Sequence, residues 1–115
     1  MRLLVALTAV LVFAGVAGAT APPVKNVPAG PSSSIVTQKG QLVSVALPHR
    51  TGKSWRIARP FDAKVVREVG EADVGSNVVV VFRAAGRGKT KIVYALTRGE
   101  ASTATASATY SITVR

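Results

Sequence analysis

From Ile35 to the end of the chain, short β-branched runs alternate with glycine, proline or charged turn signals, and no window carries a helical stripe. Ile35-Val36-Thr37-Gln38 stops at Lys39-Gly40, and Leu42-Val43-Ser44-Val45-Ala46-Leu47 is closed by Pro48. Trp55-Arg56-Ile57-Ala58 ends before Pro60, and Lys64-Val65-Val66-Arg67-Glu68-Val69 ends at Gly70. Residues 77–82 contain Val78-Val79-Val80-Val81. In residues 89–96, Thr90, Ile92 and Tyr94 share one face, with Lys89 and Lys91 on the other. Residues 109–114 turn Tyr110, Ile112 and Val114 to one side. Strand side chains alternate with a period of two, so each run has one face to bury. About seven antiparallel strands in two sheets packed face to face are the expected all-β solution. Trp55 is expected to pin the core from the third strand, facing Val80 and Ile92.

The first residues read differently. Met1-Arg2 is a short positive start, residues 3–19 are apolar or small, and Ala17-Gly18-Ala19 is a small-residue cleavage pattern. This is the layout of a secretory signal peptide over residues 1–19, which implies a secreted or periplasmic protein. The run is shorter than the roughly 20 residues of a spanning helix, so no stable membrane anchor is expected. Residues 20–34 hold Pro22, Pro23, Pro28, Gly30, Pro31 and Ser32-Ser33-Ser34, and read as a flexible leader. The folded domain is expected over residues 35–115, as a monomer.

The chain has no cysteine and one histidine. Disulfides and thiolate metal sites are therefore excluded, and neither a metal site nor a cofactor is expected. Nucleophilic catalysis needs a base beside a nucleophile, and the only imidazole, His49, sits in a loop after Pro48. The acids Asp62, Glu68, Glu71, Asp73 and Glu100 form no obvious pair, and Gly86-Arg87-Gly88-Lys89 joins two strands rather than opening a helix. An enzyme is not expected. Ala84-Ala85-Gly86 reads as a tight corner between the sheets, to which the Tyr94 hydroxyl could bond back. The formal charge of +10 favours anionic partners in general. The charges form no continuous run, and a specific nucleic-acid role is not expected.

Leu47-Pro48 followed by Thr51-Gly52-Lys53-Ser54-Trp55 resembles the chagasin-type inhibitors of papain-like cysteine peptidases, in which Trp follows three residues after the loop glycine. The resemblance continues through Phe82-Arg83-Ala84-Ala85-Gly86, Tyr94, and Tyr110-Ser111-Ile112-Thr113-Val114, and so spans residues 35–115. It implies an immunoglobulin-like sandwich. It also implies reversible steric plugging of a papain-like cysteine peptidase by three loops at one end of that sandwich. The first loop would be His49, Arg50, Thr51, Gly52 and Lys53, with His49-Arg50 standing where the family has Asn-Pro. The second would be Asp73, Val74 and Gly75, in place of a Gly-x-Gly-Gly motif. The third would be Thr97, Arg98 and Gly99, in place of Arg-Pro-Trp. The alternative is a non-inhibitory exported module on the same scaffold, binding an acidic protein, a polyanion or an anionic surface.

Overall fold

The computed structural model describes residues 23–115; the expected signal peptide, residues 1–19, and residues 20–22 of the expected leader lie outside the described residues. Seven strands follow in order: β1 Ser32–Thr37, β2 Leu42–Pro48, β3 Ser54–Ile57, β4 Val66–Val74, β5 Asn77–Ala84, β6 Gly88–Thr97 and β7 Ala106–Val114. They form a four-stranded sheet, β1-β7-β6-β3, packed on a three-stranded sheet, β2-β5-β4. The pairs are antiparallel except β1 with β7, which is parallel. The all-β two-sheet sandwich expected from the alternation is the architecture found.

Alternation decides which residues meet between the sheets. β2 buries Val43, Val45 and Leu47 and exposes the residues between them. Phe82, Leu47, Ile92, Ile112, Val66 and Val80 are the largest fully buried apolar side chains. Each contributes on the order of 1.5–3 kcal/mol through burial. Phe61 closes the open side of this core edge-on to Phe82, with ring centroids 6.0 Å apart. Trp55 does not sit where expected. It is only partly buried and packs on the margin of the core, while its Nε1 donates to the Pro48 carbonyl at 2.8 Å. An indole keeps its N–H satisfied most easily at such a margin.

Several strand boundaries differ from the sequence reading, those of β4 and β1 among them. β4 does not end at Gly70 but runs on to Val74, passing a register shift between Glu68 and Gly70. β5 templates the extension, and a bulge lets an edge strand carry a glycine without losing its pairing. β1 begins at Ser32, inside the segment read as a leader, because the β7 edge accepts Ser32, Ser33 and Ser34 in register.

Upstream of β1 the chain lies against the outer face of the larger sheet. Val24 is buried with Ala95 and Ala104, and Val27 and Ala58 pack beside them. The Lys25 and Asn26 N–H groups donate to Ser102 O, Ala104 N donates to Asn26 O, and Ser107 Oγ donates to Pro28 O. A Cβ on Gly30 would collide with the Ser107 backbone, so glycine permits this close approach. The described part of the expected leader is thus a strap, built on two isolated valines among prolines.

The Ala84-Ala85-Gly86 corner is as tight as expected. Ala85 N donates to Val65 O, and a Cβ on Gly86 would lie 2.6 Å from Lys64 O. The Tyr94 hydroxyl does not bond back to this corner. It is buried and has no hydrogen-bond partner among the described residues.

Candidate functional site

Antiparallel pairing carries three connections to one end of the sandwich. Pro48 pairs with Asn77, and Asn77 with Val74, so the β2–β3 and β4–β5 turns are neighbours. Ser54 pairs with Thr97, which brings the β6–β7 connection to the same end. The β2–β3 connection stands between the other two.

That middle connection, residues 49–53, is a compact turn. Lys53 N donates to Arg50 O at 3.1 Å, and the Arg50 guanidinium folds back to donate to His49 O at 2.9 Å. Gly52 has φ 75°, a left-handed conformation that strains any residue with a Cβ. Thr51 and Gly52 are exposed at the tip, and Lys53 is half-buried. His49 N donates to Ser76 O at 2.9 Å, and His49 Nε2 lies 2.9 Å from Asp73 Oδ1. His49 thereby ties the first connection to the second. The side chains of this pair are 48% and 76% exposed, so the contact orients the two turns rather than adding much stability.

The second connection is shorter than expected. Asp73 and Val74 are paired β4 residues, opposite Val78 and Asn77, and the turn is made by Gly75 and Ser76. Gly75 has φ 62°. Val74 is 56% exposed at the hairpin tip.

In the third connection the expected residues separate. Arg98 and Gly99 are exposed, with Gly99 at φ 61°. Thr97 ends β6 and is fully buried. Its Oγ1 accepts from Arg56 Nε at 3.1 Å and donates to Gly99 O at 2.7 Å. Thr97 is therefore a brace beneath the loop and presents nothing to a partner. Arg56 also donates to Ala101 O at 2.6 Å, and Asn26 and Thr103 form a parallel bridge from the strap. Sequence reasoning missed Arg56, Lys25 and Asn26 as loop supports. A cation in a short strand and a valine between prolines were the only signals.

A pocket of about 210 Å³ lies between the first two connections. Leu47, Trp55, Val78 and Val80 form its apolar wall, and Glu71, Asp73 and His49 are among its polar lining. Tyr94 also lines it. Burial, then the carboxylates of Glu68 and Glu71, push the Tyr94 phenol far above its ordinary value, so it stays protonated. Burial, and then Glu71, also raise Glu68.

A His–Asp pair becomes a catalytic relay when a hydroxyl or thiol bonds the other ring nitrogen. Among the described residues no serine or threonine hydroxyl is hydrogen-bonded to His49. No group of three His, Cys, Asp or Glu side chains among them could hold a metal ion. What the end does offer is three connections, each turning through one left-handed glycine, the first two bonded to each other and the third held by β3, β6 and the strap.

No family model matches the chain, and no curated protein matches it. Solved structures do. The cysteine protease inhibitor EhICP2 from Entamoeba histolytica superposes with a TM-score of 0.56 at 16% identity, covering 73% of this chain and 97% of that one. PbICP-C, solved in complex with falcipain-2, superposes with a TM-score of 0.57 at 15% identity, covering 81% and 93%. The chain therefore has the sandwich fold of solved cysteine protease inhibitors. The immunoglobulin-like architecture expected from the resemblance is the one present, in a chain of divergent sequence.

Proposed function

We propose that this protein is an exported inhibitor of papain-like cysteine peptidases that plugs the active-site cleft reversibly. Its docking end consists of residues 49–53, the Asp73–Gly75 tip, and Arg98 with Gly99. The observation that carries this reading is the gathering of three glycine-turned connections at one end of a sandwich shared with EhICP2 and PbICP-C. A left-handed glycine at a tip lets backbone approach a partner closely, and a tethered loop loses little entropy on docking. The exposed Gly52 backbone would lie over the catalytic cysteine without offering a cleavable geometry. The N-terminal sequence pattern supports export.

Titration of papain activity with residues 20–115 tests the proposal. Stoichiometric, reversible inhibition is expected, and it should be lost when residues 49–53 are replaced by a two-residue turn. A folded protein that leaves papain and a panel of related cysteine peptidases uninhibited at high micromolar concentration overturns it.

A further inference from the structure

The opposite end of the sandwich has a different chemistry. There the β1–β2 turn presents Lys39, and the β5–β6 corner presents Arg87 followed by Lys89. Arg115 ends the chain beside Lys39, whose N–H donates to Arg115 O at 3.1 Å. Lys64 precedes β4 in the same layer, its carbonyl against Gly86. All these side chains are exposed. In the smaller sheet, Arg67 on the edge strand β4 and Arg83 on the central strand β5 are direct cross-strand partners. Like charges placed opposite one another repel, so this pair gains from an external anion.

The pole carries little compensating charge. Among the described residues no carboxylate forms an ion pair with any of these cations. Asp62 is the acid closest in sequence to Lys64, and its Oδ1 accepts the Lys64 backbone N–H at 2.9 Å. Glu68 follows Arg67, but strand alternation turns it to the other face of β4, opposite Phe82 rather than Arg83.

Two further features select the kind of anion. Val36 and Leu42, which flank the Lys39 turn, are 59% and 61% exposed. Lys39 and Arg87 occupy turn tips and Arg115 follows a strand end, while Lys89 borders a shallow cleft with Lys91. The tyrosines and Phe61 pack on or around the core, and Trp55 belongs to the opposite end, so among the described residues no exposed aromatic offers a stacking platform here. A polyanionic strand is bound by a basic groove with aromatic platforms. A bilayer interface instead presents a broad negative surface with apolar chains just beneath it. It accommodates lysine, arginine, valine and leucine together.

We infer that this pole docks on a membrane surface rich in anionic lipid. The three glycine-turned connections would then face away from the bilayer, free to engage a peptidase. The inference does not depend on the inhibitory activity, since it concerns the other end of the molecule.

Co-sedimentation of residues 20–115 with vesicles tests it; the apolar run of residues 3–19 is omitted because it would bind lipid by itself. Binding is expected to vesicles of phosphatidylglycerol and phosphatidylcholine, to fall steeply with added salt, and to be absent with phosphatidylcholine alone. The triple substitution Lys39→Gln, Arg67→Gln, Arg83→Gln should weaken partitioning roughly fivefold for each charge removed. Arg50→Gln with Arg98→Gln at the loop end should leave it unchanged. Circular dichroism of both variants confirms that they are folded. Equal binding to neutral vesicles, binding to neither, or equal loss in both variants would overturn the inference. So would retention on a polyanion such as heparin without any vesicle binding. Papain titration of the same variants keeps the two ends distinguishable, because the pole variant should inhibit as the parent does.

Discussion

Gly52 and Gly40 form a matched pair that separates docking from stability. Both have positive φ, 75° and 94°, and in both cases a Cβ would meet nothing within 4 Å. Substitution by alanine therefore introduces backbone strain without a clash. The left-handed conformation costs about 1–2 kcal/mol for a residue with a Cβ. Loss of unfolded-state freedom returns about 0.4–1 kcal/mol of that. Each of Gly52→Ala and Gly40→Ala should thus lower stability by about 1 kcal/mol, leaving a native population close to that of the parent. Urea denaturation followed by Trp55 fluorescence measures this as a lowered midpoint at constant m. Their effects on a peptidase should differ sharply. Gly52 is the exposed tip of the middle connection, where an added methyl or a relaxed turn intrudes between two close backbones. Gly40 lies in the β1–β2 turn at the other end. Gly52→Ala should weaken inhibition by at least about tenfold, the effect of losing a modest interface anchor. Gly40→Ala should leave it unchanged. Equal inhibition constants for the two variants, with stabilities shifted as expected, would refute the assignment of residues 49–53 to the docking surface.

Val24→Ala should destabilise by about 1–2 kcal/mol, since about two methylene equivalents leave a buried site, while Val36→Ala at an exposed position should stay within about 0.5 kcal/mol; equal denaturation midpoints would show that the strap does not pack in solution. Thr97→Val should cost about 1–3 kcal/mol by leaving Arg56 Nε without its hydroxyl acceptor, and should raise amide exchange at Gly99 and Ala101. Gly86→Ala should destabilise by about 1–3 kcal/mol, because the new methyl meets the Lys64 carbonyl rather than a flexible side chain. The Tyr94 phenol is raised in the fold, so the unfolded chain releases its proton first. The Tyr94 contribution to stability should be constant below about pH 10 and fall as the pH rises beyond it. Tyr94→Phe should flatten that alkaline loss, most of the remainder belonging to Tyr110, which burial also raises. At neutral pH it should be neutral or stabilising, because the hydroxyl it removes has no partner.

The strands were legible in the sequence because a sandwich enforces a two-residue period wherever one face is buried. β2 and the inward positions of β6 and β7 follow directly from that alternation. What failed were features whose signal is not periodic. Gly70 looked like a strand end because glycine weakens an isolated strand, yet pairing with Val81 across a bulge carries β4 onward. Trp55 looked central because of its size, but its N–H needs an acceptor, and the Pro48 carbonyl at the margin supplies one. The proline-rich strap looked structureless because its contacts are backbone hydrogen bonds to Ser102 O and from Ala104 N, and two valines, none of which a propensity scale weighs. In the candidate site, the sequence located the three connections but not their roles. Thr97 and Arg98 are adjacent, and only the end of β6 pairing with β3 decides that one is buried and the other presented.

On the inhibitor reading, the third connection also bears on how a loop without the proline and tryptophan of the chagasin-type motif would dock. Proline limits a loop's freedom before binding, and an aromatic ring holds it against its scaffold. Here the Arg56 guanidinium fixes the Ala101 carbonyl, Thr97 fixes Gly99, and the strap's Lys25 and Asn26 fix Ser102 and Ala104. These bonds reach the loop from β3, β6 and the N-terminal segment, so the loop cannot relax as a unit without breaking contacts to all three. The ordering cost that proline would remove is largely met in the free protein. On the inhibitor reading, the strap is then part of the docking machinery although it touches no peptidase. The energy of the missing aromatic anchor is not restored by rigidity, so affinity should rest more heavily on the middle connection than on the third.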